Sequence, residues 1–130
     1  MQAPAEPVVI VDARNVIRSR WPNLREDWFL DRVRAWAERE RLRALVVFDG
    51  RAPGGVLGEA DLDERTTIVG TGGRIADDWI AEQAPALAAE GRRLWLVSSD
   101  RGLRERVASH VERTIGGGSF AGTLEELQTE

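Results

Sequence analysis

The chain has no cysteine, no lysine, no tyrosine and one histidine. Without cysteine it forms neither disulfide bonds nor thiolate-ligated zinc or iron–sulfur sites, and its composition does not indicate an oxidising compartment. Because lysine is absent, all 18 basic residues are arginine, whose forked guanidinium suits phosphate as well as carboxylate partners. The net charge of −4 argues against tight nonspecific binding of duplex nucleic acid.

Long apolar segments are also absent. No run approaches the ~18 residues of a membrane span, and the first residues lack the basic leader and apolar core of a secretory signal. We therefore expect a cytoplasmic protein with no membrane partner. The length of 130 residues predicts a single domain over 1–130, with 1–6 and 128–130 as loose termini.

Short apolar segments rich in β-branched residues and without polar alternation indicate strands that are buried on both faces. They are residues 7–12, 43–49 and 93–100, with 66–70 and 111–116 as weaker candidates. Helical patterns lie between them. This alternation predicts an α/β fold with a mostly parallel sheet of four to five strands.

Four helices are predicted. One follows a capping box of Asn23 and Glu26, one starts near Ile75 and is kinked or split by Pro85, one follows Asp100, and the last covers 121–130. Residues 51–65 are rich in glycine and acid and have no helical face. We expect them to form a crossover loop, either mobile or simply solvated.

Acidic residues end the predicted strands. Asp12, Asp49 and Asp100 each close a strand, while Asp77 and Asp78 start the helix after the strand at 66–70. The carboxyl ends of parallel strands share one edge, where ligands bind. Two carboxylates about 5 Å apart repel by roughly 3 kcal/mol at an effective dielectric near 20, so a gathered set either has raised pKa values or binds a cation.

Each acid also has a local explanation. Asp77 and Asp78 suit the positive end of a helix dipole, worth ~0.3–1 kcal/mol each. Asp100 suits an N-cap, and Asp12 and Asp49 suit the start of a turn. The coincidence of all these acids at one edge nevertheless favours a site for Mg²⁺ or Mn²⁺, which prefer hard oxygen ligands.

Five short segments resemble a known family in order and spacing. They are "VDARN" (11–15), "VVFDG" (46–50), "GGRIADDWI" (72–80), "LVSSD" (96–100) and "IGGGSF" (115–120). Together they are similar to the YacP-like branch of the NYN domains, within the wider PIN-like nuclease group, from about Val8 to Leu127. The resemblance implies a PIN-like, three-layer α/β/α sandwich and a metal-dependent endoribonuclease.

The resemblance also implies residue roles. Asp12 matches the metal ligand after the first strand and Asn15 its polar neighbour; Asp77 or Asp78 matches the acid at a helix start. Asp100 and Asp49 match acids after later strands. Ala13 and Arg14 stand where the family has Gly and Tyr, and Gly102 stands where many members have another Asp. The loss of that Asp favours one ion over two.

The predicted reaction is hydrolysis of RNA phosphodiester bonds, in which the metal orients a water and stabilises the transition state. The predicted catalytic residues are Asp12, Asp77, Asp100 and Asn15, and the predicted metal ligands are Asp12, Asp77, Asp78, Asp100 and Asp49. The predicted substrate-binding residues are Arg14, Arg51, Arg74, Arg101, Ser98 and Ser99. The arginines either contact phosphates or form surface ion pairs; Asn15 and the serines either orient ligands or cap turns.

Five tryptophans invite a base-stacking role. Trp28, Trp36, Trp79 and Trp95 fit core faces better, so only Trp21, just before a proline, is expected to be exposed. The glycines of the "GGGSF" segment either let backbone approach nucleic acid or form a flexible turn.

Rival classes fit less well. A receiver domain needs a lysine at a late strand end, and an aspartyl phosphotransferase usually has Asp-x-Asp after the first strand, where this chain has Arg14. A noncatalytic PIN-like module that binds RNA or docks a protein would share every motif. For the nuclease, RNA is the expected partner, and the ribosome or another targeting protein could direct the chain to it.

Overall fold

The structure is a computed structural model that describes residues 6–127. Within them, the strands are β1 (Val8–Asp12), β2 (Arg43–Phe48), β3 (Gly58–Asp61), β4 (Thr66–Gly70), β5 (Leu94–Val97) and β6 (Arg113–Ile115). The helices are α1 (Ala13–Ile17), α2 (Glu26–Glu40), α3 (Ala76–Ala89), α4 (Arg101–Val107) and α5 (Gly117–Glu126). Residues 1–5 and 128–130, most of the predicted loose termini, lie outside the described range.

All six strands form one sheet in the order β3-β4-β2-β1-β5-β6, and only the β3–β4 pair is antiparallel. The predicted mostly parallel sheet is therefore confirmed. Side chains alternate between two cores along β1: Val9 and Val11 pack with α1, α2 and α5, while Val8 and Ile10 pack with α3 and α4. Helices cover both faces, which confirms the three-layer α/β/α sandwich and explains why the strands lack polar positions.

The sheet has one strand more than the four to five predicted, because β3 lies within the predicted loop 51–65. Its residues are mostly exposed and pair only with β4 at the edge of the sheet. An edge strand with little burial needs no apolar side chains, so it leaves no hydrophobic pattern in the sequence.

Helix boundaries also differ from the prediction. The five-residue α1 follows β1 directly, and it is too short to show a helical period. The capping box is wrong: α2 starts after Arg25, and no side chain caps it. Pro85 lies inside a continuous α3, and α5 starts at Gly117, so the "GGGSF" segment begins a helix rather than forming a flexible turn.

The tryptophans divide largely as predicted. Trp36 is buried and meets Phe120 edge to face, with ring centroids 4.8 Å apart. Trp28, Trp79 and Trp95 are half-buried at the margins of the two cores; Trp21 is 93% exposed, and its stacking role stays a prediction. No helix within residues 6–127 has the length and apolar character needed to cross a bilayer.

Gly70, the last residue of β4, lies under the backbone of the turn that follows β2. A Cβ there would collide with the carbonyl oxygen of Val56, and it would lie 2.8 Å from the amide nitrogen of Ala52 and 2.9 Å from the carbonyl oxygen of Gly50. All three neighbours are backbone atoms, which cannot rotate away. The close approach fixes this turn next to Asp49.

We predict that Gly70→Ala destabilises the protein by about 1–3 kcal/mol or more through overpacking. Gly73→Ala is the matched control, because a Cβ at Gly73 meets nothing within 4 Å. It should change stability by no more than about 1 kcal/mol. Urea unfolding of both variants measures the difference, and equal midpoints would contradict the close approach.

Candidate active site

A cleft of about 390 Å³ lies at the carboxyl edge of the sheet. It is lined by Asp12, Arg14, Asn15, Arg18, Ser19, Asp49, Asp77 and Ser99. The cleft opens where the chain leaves β1 and β4, which flank β2, toward opposite faces of the sheet: α1 packs in one core and the start of α3 in the other. Such a divergence is the usual ligand position in an open α/β sheet. Six of the predicted site residues meet here.

Asp12 ends β1 and is the most buried of the acids in the cleft, with 5% of its surface exposed. The pKa of its carboxyl is raised to about 6, chiefly by burial, with smaller upward contributions from the charges of Asp77 and Asp49. Two contacts oppose the shift: the hydroxyl of Ser98, which donates to Oδ2 at 3.1 Å, and the backbone of Asn15. Burial is the largest cause, so solvation is what the carboxylate lacks.

Asp77 lies in the first turn of α3 and faces Asp12 across the cleft. Partial burial raises the pKa of this carboxyl, followed by the charges of Asp100 and Asp49, while Arg106 lowers it. Among residues 6–127, no side chain donates a hydrogen bond to it. The position at a helix start therefore does not neutralise Asp77, whose surroundings are dominated by other acids.

Asp49 follows β2 and uses both of its oxygens. Oδ1 accepts the backbone N–H of Ala76 at 2.6 Å, and Oδ2 lies 3.5 Å from Nε of Arg14. The first contact holds the start of α3 against the end of β2. Asp49 thereby positions Asp77 as well as contributing its own charge to the cleft.

The two remaining predicted acids lie outside the cleft lining. Asp100 is exposed and accepts the backbone N–H of Leu103 at 2.9 Å, so it is the N-cap of α4, although its charge still reaches Asp77. Asp78 pairs with Arg106 at 2.9 Å. Of the two adjacent acids in α3, Asp77 and not Asp78 lines the cleft.

The acids do not converge on a single point. Within the described part of the chain, no three Asp, Glu or His side chains are grouped so that they could hold one ion as they stand. One or two carboxylates are thus the most that can serve together in this arrangement. That number suits Mg²⁺, which usually keeps several waters and takes one or two carboxylates plus substrate phosphate.

A chain of hydrogen bonds fastens the cleft to its surroundings. The buried hydroxyl of Ser98 donates to Asp12 and accepts the N–H of Asp100, both at 3.1 Å. Asn15 Oδ1 accepts the N–H of Ser99 at 2.9 Å, and Ser99 Oγ accepts the N–H of Gly117 at 2.8 Å. These side chains tie the ends of β1 and β5 to α5, which is a positioning role.

Gly117 explains the glycines of the "GGGSF" segment. A Cβ at this position would collide with Oδ1 of Asn15. Only glycine lets the first turn of α5 approach this amide so closely. The approach joins the start of α5 to the residues that follow β1, and a role of these glycines in approach to nucleic acid stays a prediction.

The predicted arginines separate into different environments. Arg14 lines the cleft and is half-exposed. Arg51 donates to the carbonyl oxygen of Gly55 at 2.9 Å, and Arg74 pairs with Glu82 at 2.6 Å, so both are directed to local partners outside the cleft lining. Arg101 lies exposed on α4.

Arg18 and Ser19 line the cleft but were not predicted. Arg18 lies four residues after Arg14, the spacing that places side chains on one face of a helix. The signal was therefore present in the sequence. It is easily missed, because α1 has only five residues and shows no helical period.

No protein-family model and no curated protein sequence matches the chain. Two crystal structures of Rae1 (YacP) from Bacillus subtilis are similar to it. One, of a tryptophan-to-leucine variant, has a TM-score of 0.69 and 19% identity and covers 92% of this chain and 76% of that chain. The other has a TM-score of 0.68 and 18% identity and covers 92% and 74%. At this identity the likeness establishes a YacP-like fold.

The raised pKa of Asp12 has a consequence for stability. The folded protein binds a proton at Asp12 up to about pH 6, whereas the unfolded chain, with a pKa of 3.8, releases it earlier. Stability should therefore fall as the pH rises from about 4 to 6. Above that range the charged Asp12 costs on the order of 3 kcal/mol.

We predict that Asp12→Asn stabilises the protein in chelator at pH 7.5 by about 2–3 kcal/mol. Asparagine stays neutral and can still accept the hydrogen bond from Ser98. The gain should disappear toward pH 4, where the parent carboxyl is protonated. Urea unfolding across this range measures it, with Asp31→Asn, an exposed position on α2, as the control. A gain independent of pH would contradict the assignment.

Proposed function

We propose that this protein is a cytoplasmic, metal-dependent endoribonuclease of the NYN and PIN-like type. The observation that carries the proposal is the burial of the Asp12 carboxylate in the cleft. Its neighbours there include Asp77 and Asp49, whose charges raise its pKa, and no arginine among the described residues pairs with it. The order of the five sequence segments and the YacP-like fold support the same assignment.

The donor set fits Mg²⁺ or Mn²⁺. Asp12 and Asp77 would hold the ion, since both line the cleft and neither is paired with an arginine. Asp49 and Asp100 each accept a backbone N–H with one carboxylate oxygen. They would therefore support the ion with the remaining oxygen or with their charge, and would not be its main ligands. When bound, the ion would offset phosphate charge and lower the pKa of a coordinated water.

The remaining cleft residues bind and orient the substrate. Arg14 and Arg18 offer guanidinium N–H groups to a phosphate at the mouth of the cleft. The Oδ1 atom of Asn15 is held by Ser99, which leaves its amide NH₂ to donate toward the cleft. Ser98 keeps Asp12 in one orientation through its hydroxyl.

A second candidate is a noncatalytic module that binds RNA or docks a protein. It is favoured by one observation: no three acids are grouped closely enough to hold an ion in residues 6–127. Under either function, the ribosome or another targeting protein would supply the selectivity that so short a domain lacks.

The deciding experiment incubates the protein with end-labelled single-stranded RNA in Mn²⁺, in Mg²⁺ or in chelator. We expect internal cleavage with metal and none in chelator. Asp12→Asn should lower the rate by more than about 100-fold, because even residues that only orient metal ligands contribute about 10–100-fold. Asp31→Asn, which removes a carboxylate far from the cleft in sequence, should cleave like the parent.

The outcomes separate the two functions. Binding of RNA without cleavage in either metal, repeated in the presence of ribosomes, would favour the noncatalytic module. Cleavage that persists in chelator or in Asp12→Asn would overturn the proposed roles of the metal and of Asp12.

A further inference from the structure

A second groove, of about 500 Å³, adjoins the cleft on the side of α4. It is lined by Ser99, Arg101, Arg104, Glu105, Ala108 and Thr114. Ser99 belongs to both linings, so the two depressions meet at this residue. We call the second depression the α4 groove. It is not part of the carboxylate site described above.

The α4 groove has two arginines and one acidic residue, Glu105, so its net charge is positive, whereas acids outnumber arginines in the cleft. Arg101 and Arg104 are three residues apart on α4, and side chains at this spacing lie side by side, with Cβ atoms about 5–6 Å apart. Both are exposed, and neither guanidinium has an ion pair or hydrogen bond with any residue in 6–127. By contrast, Arg106 on the same helix is paired with Asp78.

The cleft itself repels a polyanion. Three of its eight lining residues are acidic, and only two are basic. A substrate with several phosphates therefore needs favourable contacts outside the cleft, and electrostatic attraction to Lys and Arg supplies most of the affinity for a nucleic acid backbone. The α4 groove offers two guanidinium groups next to the cleft, at the point where a strand leaving it would pass Ser99.

We propose that the α4 groove binds backbone phosphates of the RNA strand whose neighbouring linkage occupies the cleft. This inference rests on the proposed function and extends it: the substrate is a single-stranded polynucleotide that spans both depressions, rather than a mononucleotide or a dinucleotide. A single strand fits because its backbone can bend toward the nearly buried Asp12, and unstacked strands are the usual targets of RNA-binding proteins.

The test compares two double variants with the same change of charge. Arg101→Gln/Arg104→Gln removes the guanidinium groups of the groove, whereas Arg39→Gln/Arg43→Gln removes two exposed arginines on α2 and β2. Both are made in the Asp12→Asn background, so that RNA is bound without being cut. Fluorescence anisotropy then gives the affinity for single strands of roughly 12 nucleotides over a range of salt concentrations.

Relative to the Asp12→Asn parent, the groove variant should reduce the slope of log K against log salt by about 1.4, at about 0.7 for each lost phosphate contact on a single strand. It should also lose much of the gain in affinity when the RNA is lengthened from a dinucleotide. The control pair should keep both the slope and the gain. Equal slopes in the two double variants would overturn the proposal that the α4 groove binds RNA phosphates. An Asp12→Asn parent that binds no RNA would also overturn it.

The experiments distinguish failure of the proposed RNA binding by the α4 groove from failure of the proposed nuclease activity. If the wild-type chain cleaves RNA with metal while the slopes are equal, the proposed function stands without the groove. If the slopes differ but no metal supports cleavage, the groove is an RNA-binding surface of a noncatalytic module. Thermal unfolding of both double variants checks that neither change has altered the fold.

Discussion

The rest of the site depends on the repulsion between Asp12, Asp77 and Asp49. These carboxylates come from β1, the start of α3 and the end of β2, so only the folded chain brings them together. Each face of the sheet has its own hydrophobic core. The cleft lies where α1 packs into one core and α3 into the other. Burial of Asp12 is then a consequence of the fold itself, and the neighbouring charges add to its effect on the pKa. A buried charge that destabilises the folded protein is understandable where a bound ligand offsets that charge.

A structural ion pair on the same protein shows the contrast. Glu112 meets Arg93 at 2.9 Å, and that contact lowers the pKa of the carboxyl, as expected for a surface pair. In the cleft the direction is reversed, because Asp12 receives one hydroxyl and no guanidinium. The polar contacts around the cleft hold the acids in place without neutralising them. Asp49 accepts a backbone N–H at the start of α3, and Ser98 links Asp12 to the backbone of Asp100.

The parts that the sequence predicts well are those with a strong physical signature. Strands covered on both faces must be continuously apolar, so the sequence predicts β1, β2 and β5, and the acid after each strand indicates the edge of the sheet. The edge strand β3 is exposed, and α1 is too short for a period, so neither was predicted. The choice between Asp77 and Asp78 depends on which way adjacent side chains point from a helix, and composition does not determine that. Closeness in sequence to an acid does not predict that an arginine lines the cleft. Arg51 instead donates to the carbonyl oxygen of Gly55, and Arg74 pairs with Glu82.

The positions of the acidic and basic side chains suggest an order of binding for the proposed function, with the divalent ion before the RNA phosphate. The carboxylates lie inside the cleft, while exposed arginines lie at its mouth and along α4. Without a cation the interior repels the phosphate that the arginines attract, so RNA would be held nearby but not drawn in. Neutralising the carboxylates with a divalent ion removes that repulsion. Under the proposed function, binding of the ion and binding of RNA would be positively coupled, and by linkage each would strengthen the other by the same factor. Because the pKa of Asp12 is raised to about 6, protons would compete with the ion for this carboxylate below about that pH, and binding of the ion would weaken there.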